Sequence, residues 1–542
     1  MSDMRLRPRA GNEANRFVDI LWIFVLSTLI LALGSLPTWI GFVSQNSELR
    51  FRGIYFDSHD YAVHLSMMQA GRIGEWAYQM RFTTEPHQPA FIKMFYILLG
   101  HTSKFFGMND ETVYHAARWI SGYLALISIY SLCSQLFSKQ SHARYAFLMV
   151  GMGSGLGWFL LMIGVPLKPI SPIDFWLIDL YVFFSLSIFP HFSVLIALMV
   201  FSVSLYLRYL HLIPLANNLL KSNDSPISKE IAWIGLMSLA AGFINPTAFA
   251  SVDAAILGAT VFNWLSIRKV IRSQLFAIMI LASIQSLPIL YNYFILSRDP
   301  IWSQFMLQNQ TPTPPLMYLI WGLAPFIPFA ILGGWQAVRA RSPVFGSLLI
   351  WSLTGITLAY LPLSIQRRFL LGLTIPLGIL AIYGFCTALK NRNLNLALFA
   401  YVLLSGISSI YLCLGSSLYM RTHPPDYFYP VSLDTAFDWL NRNANPNDVV
   451  LAGSATGLLV AQKTRQRVFV GHEMETVQFE KKNIWVENYF RENLVADFFK
   501  GNHIRFVIYG PYEQKFAPDF VPNKNLKEVL ADQEIQIYEV IE

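Results

Sequence analysis

Two carboxylates and two imidazoles fall within one short polar stretch of an otherwise apolar chain. Asp57, His59, Asp60 and His64 belong to the sequence Asp-Ser-His-Asp-Tyr-Ala-Val-His, which directly follows the first long apolar segment. Acids that flank a histidine beside a hydrophobic surface are open to pKa shifts, and proton-transfer chemistry depends on such shifts. We therefore predict an active site in this stretch. The alternative is that these residues are solvated charges of a surface loop.

The amino-acid composition indicates that this polar stretch belongs to a membrane protein. The chain has 542 residues, of which 54% are hydrophobic and only 13% are charged, and its mean hydropathy is +0.42. Soluble domains carry about 25% charged residues. Repeated apolar runs of ~17–25 residues predict a mainly α, polytopic bundle of membrane helices in contact with lipid. The three cysteines, Cys133, Cys386 and Cys413, all fall inside apolar runs, so neither a disulfide framework nor a Cys/His metal site is predicted.

The apolar runs predict about eleven membrane spans. The fifth and sixth are short, and they could form a re-entrant hairpin around Asn245 and Pro246, because proline interrupts a helix. The predicted spans are 17–42, 113–137, 145–165, 189–210, 230–248, 249–266, 273–296, 315–336, 343–363, 369–389 and 394–416.

The distribution of basic residues predicts the orientation, because cytoplasmic loops carry the excess of Lys and Arg. With segment 1–16 in the cytoplasm, the predicted inner segments contain Arg5, Arg7, Arg9, Arg16, Lys139, Arg144, Arg208, Lys221, Lys229, Arg268, Lys269, Arg272, Arg339, Arg341, Lys390 and Arg392. The short outer loops contain only Lys168, Arg298, Arg367 and Arg368. A multi-pass protein of the plasma (inner) membrane is predicted, with its C-terminal domain outside. The net charge of +7 is thus a topology signal, and no nucleic-acid partner is expected.

Segments 43–112 and 433–542 are too polar to lie in lipid. The first is a long outer loop within the membrane domain 17–416, and loops of this length are functional or disordered. Apolar spacing in 62–71 and 91–99 favours an ordered lid of juxtamembrane helices, which would also carry Glu85 and His87.

The second polar segment, 433–542, is predicted to be a small extracytoplasmic α/β domain, because buried-strand patterns alternate with helical ones. The predicted strands are 448–452, 467–471, 504–509 and 534–541. It has no glycine-rich nucleotide loop. The sequence Gly471-His-Glu-Met-Glu-Thr476 follows a strand end, where it could recognise an acceptor or simply form a turn.

The first outer loop resembles that of the bacterial GT-C-type membrane glycosyltransferases. The matching segments are Asp60-Tyr-Ala-Val-His-Leu-Ser66, Gln69-Ala-Gly-Arg-Ile-Gly-Glu-Trp76, Thr84-Glu-Pro-His-Gln-Pro89 and Tyr96-Ile-Leu-Leu-Gly100. The plan also matches over most of the chain, with a large acidic first outer loop, about eleven spans and an outer C-terminal domain. The resemblance implies inverting transfer of a sugar from a polyprenyl-phosphate carrier to a glycan, lipid or protein acceptor.

On that resemblance Asp60 is the general base, with Asp57 as the alternative. The residues expected to shape the pocket are His59, His64, Glu85 and His87. This sequence lacks the tight pair of acids found in some relatives. No cofactor is predicted with certainty, and a divalent metal ion is left open.

Three residues outside the first loop complete the predicted site. Arg367 and Arg368 lie at the outer end of the tenth predicted span, where a guanidinium pair can bind the carrier phosphate. The alternative is ordinary contact with lipid headgroups. Asp174, in the second outer loop with Lys168, is either a second acid of the pocket or a loop charge that caps a helix.

Two further motifs suggest other classes of function. Asp253 lies within the sixth predicted span, and an intramembrane carboxylate could couple protons in a transporter or lipid flippase. No internal repeat supports that alternative. A third class, a non-catalytic sensor or assembly protein, would make the outer domain primary. The glycines between Gly151 and Gly157 are expected to allow close helix packing within a span.

Overall fold

The computed structural model describes residues 13–165, 171–211, 228–389, 394–492, 497–532 and 534–541. Most of the predicted N-terminal segment 1–16 lies outside these ranges, as does Lys168. The helices are α1 Glu13–Val43, α2 Ser58–Ile73, α3 Met94–Phe106, α4 Asp110–Leu136, α5 Gln140–Met152, α6 Gly157–Met162, α7 Val182–Ile188, α8 Pro190–Tyr209, α9 Lys229–Gly242, α10 Ala248–Ile267, α11 Arg272–Arg298, α12 Pro300–Gln308, α13 Leu316–Leu323, α14 Ile327–Arg339, α15 Pro343–Leu358, α16 Thr374–Ala388, α17 Leu394–Ser405, α18 Ile407–Met420, α19 Ser432–Asn443, α20 Ser454–Lys463, α21 Phe479–Glu492, α22 Asp497–Gly501 and α23 Pro511–Phe516. The strands are β1 Leu49–Phe51, β2 Phe428–Pro430, β3 Val449–Leu451, β4 Arg467–Val468, β5 Ile504–Tyr509, β6 Leu526–Ala531 and β7 Gln536–Val540. Two 3-10 helices, Ile173–Phe175 and Gln366–Leu370, complete the elements.

The chain divides into two compact units. The helical unit comprises Met1–Leu36, Ala116–Leu290 and Thr311–Gly415. The mixed unit comprises Pro37–His115, Tyr291–Gln310 and Ser416–Glu542, so the first polar loop and the C-terminal segment belong to the same unit.

The helical elements agree in position with the predicted spans. Among the described residues, seven helices are long and apolar enough to cross a membrane, and α13 with α14, bent by 85°, brings the number to eight. The other three predicted spans coincide with shorter helical segments, namely α5 with α6, α9 and α15. A mainly α membrane bundle is confirmed, whereas the number of eleven stays a prediction.

The glycine-rich segment ends a helix rather than continuing through a span. α5 stops at Met152 and α6 begins at Gly157. The expected close packing is present at this break, because a Cβ on Gly155 would lie 2.8 Å from the Cα of Gly322. The Gly157 N–H donates to the carboxylate of Asp174 over 2.9 Å, so a side chain satisfies a backbone group that the interrupted helix leaves open.

The mixed unit is built on a five-stranded sheet in the order β4-β3-β5-β7-β6. β3 pairs in parallel with β4 and β5, and β7 pairs antiparallel with β5 and β6. The four predicted strands are confirmed as β3, β4, β5 and β7. The edge strand β6 escaped prediction because none of its residues is fully buried and its sequence, Leu-Lys-Glu-Val-Leu-Ala, does not alternate cleanly.

The first loop is attached to this sheet by hydrogen bonds to its backbone carbonyl groups. The Val468 N–H of β4 donates to the carbonyl of Arg81 over 2.9 Å, and the Arg467 guanidinium donates to the carbonyl of Thr83 over 2.7 Å. The first loop also pairs with the C-terminal segment through β1 and β2, which form a separate antiparallel two-stranded sheet. Segments far apart in sequence thus share one hydrogen-bonded framework.

α2 carries the polar stretch, and its neighbours fix its position. It packs against α3 and α20. It crosses α3 closely at Gly71 and Gly100, where a Cβ would meet the carbonyl oxygens of Ile97 and Met68. A larger side chain at either glycine would push α2 away from its support.

The orientation of the spans gives a testable prediction. Reporter fusions after Arg144, Arg272 and Lys390 (the last outside the described ranges) are expected to be cytoplasmic, because basic residues concentrate there. Fusions at Asn109 and at the C-terminus are expected to be external. Paired alkaline phosphatase and green fluorescent protein reporters measure this, since each is active on one side only. A cytoplasmic C-terminus would contradict the orientation.

Candidate active site

Asp57 starts the helix that presents Asp60. It is the N-cap of α2, and its Oδ1 accepts the Asp60 N–H over 3.2 Å. Its backbone is left-handed, with φ of 52°, which costs energy for most residues but which Asp and Asn tolerate. A capping carboxylate satisfies one of the open N–H groups of the first turn. One oxygen of Asp57 is therefore used to form the helix.

Asp60 faces a buried histidine from the C-terminal segment. The Asp60 side chain is 52% exposed, and its Oδ1 lies 3.3 Å from Nε2 of His472, whose side chain is only 3% exposed. His472 Nδ1 accepts the backbone N–H groups of Met474 and Glu475 over 3.0 and 3.3 Å. The proton of the neutral ring is consequently on Nε2, which donates to Asp60.

The surrounding charges keep Asp60 ionised. Crowding by neighbouring protein raises its pKa, but the hydrogen bond and charge of His472, with the charges of His64 and Lys93, outweigh that effect and hold the pKa well below its usual value. Burial lowers the pKa of His472, whereas Asp60 and the glutamates of its own loop raise it above the usual value. The two backbone donors at Nδ1 oppose a second proton on the ring, whereas its raised pKa favours one; in either protonation state Nε2 donates to an ionised Asp60.

Two more ion pairs surround this contact. His59 Nδ1 lies 2.9 Å from Glu473, and Lys93 Nζ lies 2.9 Å from Glu475, which also accepts the Tyr78 hydroxyl over 3.3 Å. Burial raises the pKa of Glu473, yet the hydrogen bond from His59 and the charges of His472 and His59 bring it down to about 2. We call this group the Asp60 cluster: His59, Asp60, Lys93, His472, Glu473 and Glu475.

The other predicted residues of the first loop have internal contacts. His64 is buried and stacks on Tyr96 with ring centroids 3.9 Å apart. Glu85 pairs with Lys482 over 2.8 Å. His87 contacts the backbone through both ring nitrogens, accepting the Met80 N–H over 2.9 Å and donating to the Glu85 carbonyl over 2.8 Å. These two hydrogen bonds fix the tautomer of the neutral His87 ring, and burial lowers the pKa of His87.

The remaining predicted residues belong to the helical unit. Asp174 is 3% exposed, and burial raises the pKa of its carboxyl group. Arg367 lies on the 3-10 helix before α16, with its Nε 3.4 Å from the carboxylate of Asp179, and Arg368 follows on the same turn.

The structure brings only part of the predicted set together. Asp57, His59 and Asp60 share the start of α2, while Glu85 and His87 lie on another loop of the same unit. Sequence reasoning missed His472 as a partner of Asp60, although its position just after a strand end was a signal. It also gave no role to Lys93. Such pairs are invisible in the sequence because His59 and Glu473 are 414 positions apart.

The sequence leaves a divalent metal ion open, and the structure bears on its possible ligands. Among the residues that the structure describes, no three His, Cys, Asp or Glu side chains are grouped so as to hold a metal ion. Within the Asp60 cluster, His59 pairs with Glu473 and Asp60 with His472. No step of the chemistry below depends on a metal ion.

Comparisons identify the architecture. No protein-family model matches the sequence, and no curated protein matches it either. The crystal structure of the apo oligosaccharyltransferase of Archaeoglobus fulgidus is 11% identical, with a TM-score of 0.51 over 89% of this chain and 70% of that one. The same enzyme, AglB, in complex with an inhibitory peptide and a dolichol-phosphate has a TM-score of 0.50 at 11% identity, over 90% and 70% of the two chains. The arabinofuranosyltransferase AftD from Mycobacteria gives 0.54 at 11% identity, over 95% of this chain but only 40% of that one. The protein therefore has the fold of the GT-C membrane glycosyltransferases.

Proposed function

We propose that the protein is an integral-membrane glycosyltransferase. It moves a sugar from a polyprenyl-phosphate carrier to a glycan, lipid or protein acceptor on the outer face of the plasma membrane. The observation that carries the proposal is the half-exposed Asp60 carboxylate, held ionised by the buried His472 at the start of α2. The GT-C fold supports it, since one protein of this fold is solved with a dolichol-phosphate and another is an arabinofuranosyltransferase.

The proposed reaction is a direct displacement. The acceptor atom forms a bond to the anomeric carbon while the bond from that carbon to the phosphate oxygen breaks, which inverts the configuration. The acceptor proton passes to Asp60, and the carrier phosphate leaves with the electron pair. A carboxylate of low pKa is a weak base, so proton transfer comes late, after bond formation has made the acceptor hydroxyl acidic.

Other predicted residues differ in their proposed roles. His59 is 47% exposed and borders Asp60, so it suits contact with the acceptor. His64, Glu85, His87 and Asp174 are held by internal contacts, and we assign them to positioning rather than to substrate. Asp57 acts by forming the start of α2.

Arg368 is the proposed ligand of the carrier phosphate. Arg367 already has the carboxylate of Asp179 near its guanidinium, which offsets part of its charge. A planar guanidinium can bind a phosphate through two parallel hydrogen bonds, which an ammonium group cannot do. The assignment to Arg368 rests on its position next to the Arg367–Asp179 pair, on the same 3-10 helix as Arg367.

Arg368→Lys is expected to weaken use of the donor, and Arg368→Ala is expected to weaken it further. Loss of a charged hydrogen bond to phosphate predicts an increase in the donor KM of about tenfold or more. The measurement is the donor-concentration dependence of transfer in proteoliposomes. Arg298→Ala is the matched control, because Arg298 stacks on Phe294 instead, with its guanidinium 3.8 Å from the ring centroid. Unchanged donor kinetics in Arg367→Ala/Arg368→Ala would reduce both residues to headgroup contacts.

The function itself is tested with purified protein in proteoliposomes. Synthetic polyprenyl-phosphate sugars are supplied, and release of the free carrier phosphate is followed by mass spectrometry. Carrier release that depends on the protein is expected. Movement of the intact lipid-linked sugar between leaflets without cleavage would instead favour the transporter, in which Asp253 of α10 would act. The GT-C fold supports the transferase over that alternative.

A further inference from the structure

The mixed unit contains a polar cavity that shares no residue with the Asp60 cluster. Its volume is about 330 Å³, at the lower end of the range for small-molecule sites. The residues that matter for its chemistry are Gln79, Thr84, Gln88, Asp299, Arg467 and His503. They come from the first loop, the start of α12, β4 and the turn before β5.

The cavity walls are fixed by hydrogen bonds. The Gln88 N–H donates to Asp299 over 3.0 Å, and the Trp302 indole donates to the Gln88 carbonyl over 2.8 Å. Asp299 also caps α12, accepting the Ile301 N–H over 2.8 Å. Gln79 donates its amide to the carbonyl of His87 over 3.2 Å. A site held in this way loses little freedom when a ligand binds.

Several polar groups of the lining keep hydrogen-bonding capacity. Nε of Arg467 is buried without a hydrogen-bond partner within the described part of the chain. The Thr84 hydroxyl, the Gln88 side-chain amide and the His503 ring make no hydrogen bond within the described residues, and the Gln88 and His503 residues are exposed. Because the Arg467 Nε is not accessible, a ligand in the cavity would contact the hydroxyl, the amide and the imidazole, which together offer both donors and acceptors.

The charge of the lining favours a neutral ligand. Arg467 supplies one positive charge and Asp299 one negative charge. The rest of the lining consists of two amides, a hydroxyl, a proline and two imidazoles, of which His87 already bonds the backbone through both ring nitrogens. A phosphate would require an excess of positive charge, whereas here the carboxylate of Asp299 offsets the charge of Arg467. A polyol matches a mixed set of donors and acceptors. We propose that this cavity binds one neutral monosaccharide unit of a glycan acceptor.

The proposal rests on the proposed glycosyltransferase function, and it narrows the acceptor to a glycan. The cavity would hold a sugar other than the one that receives the transfer, because none of its lining residues belongs to the Asp60 cluster. Its role would be to select and orient the acceptor chain. Binding here requires no chemistry, so it is measurable apart from transfer.

The test uses the full chain in detergent and a panel of neutral sugars, namely glucose, galactose, mannose, arabinose and N-acetylglucosamine. Saturation-transfer NMR reports which sugar binds, and a titration gives its affinity. We expect one or more to bind, and Thr84→Ala/Gln88→Ala to weaken that binding by about tenfold or more, for two lost hydrogen bonds. Gln310→Ala, an exposed glutamine of the same unit outside the cavity lining, is the control and should bind normally.

Two further binding measurements distinguish the possible outcomes. Asp60→Asn is expected to bind the sugar normally, which distinguishes this cavity from the reaction site. Inorganic phosphate should not displace the sugar. Absence of binding, equal binding by the double variant, or displacement by phosphate would each overturn the proposal. If carrier cleavage occurs without sugar binding, only the cavity proposal fails. If the sugar binds but no donor is cleaved, the sugar site stands, whereas the transferase and the acceptor role of the cavity fail.

Discussion

Asp60→Asn is expected to lower the rate of sugar transfer by about 10²–10⁴-fold, the usual cost of losing a general base. The change is nearly isosteric, and the amide oxygen can still accept the proton that His472 Nε2 now gives to Asp60. Folding and membrane insertion should therefore be preserved. The measurement is the initial rate of carrier release at saturating donor, with thermal unfolding as the check on the fold.

Asp57→Asn is the matched control. Asn caps helices as well as Asp does and tolerates the left-handed backbone found at position 57, so α2 should start normally. Transfer should stay close to wild type. The opposite pattern, with Asp57→Asn inactive and Asp60→Asn active, would move the base to Asp57. Full activity in both variants would remove the catalytic role of this helix start.

His472→Phe is expected to change the pH dependence of transfer as well as its rate. The surrounding protein raises the pKa of Asp60, and His472 supplies the largest opposing effects. Without the imidazole, only the charges of His64 and Lys93 oppose the effect of burial, so the pKa of Asp60 should rise. Asp60 would then be protonated as the pH falls, and transfer would decline on the acid side, where the wild type stays active. The measurement is kcat from about pH 5 to 8.

His472→Gln provides the conservative comparison. Its amide can donate to Asp60, so part of the rate and of the wild-type profile should return, whereas a merely structural role would give no such recovery. Adding Asp60→Asn to His472→Phe should cost less than the sum of the two single losses, because both changes affect one carboxylate. Fully additive losses, or an unchanged acid side in His472→Phe, would show that His472 does not act through Asp60.

Much of the architecture follows from local pattern. Apolar runs placed α1, α4, α8, α10 and α11 within a few residues, because a backbone in lipid must satisfy its own hydrogen bonds. The α/β character of the C-terminal segment was also predictable. Helix breaks within an apolar run were harder to predict. The start of α6 after such a break is bonded by the carboxylate of Asp174, a contact that a hydrophobicity pattern does not register.

The sequence by itself determined that this is a polytopic membrane protein whose polar segments carry acids and histidines, and it singled out Asp57 and Asp60. Composition and periodicity suffice for these conclusions, because both are properties of neighbouring residues along the chain. Only the tertiary structure decided that Asp57 starts α2 while Asp60 faces His472, and that both polar segments belong to one unit. The physical reason is distance in sequence: hydrogen bonds such as Val468 to Arg81 and ion pairs such as Lys93 to Glu475 exist only once the sheet and α2 have packed.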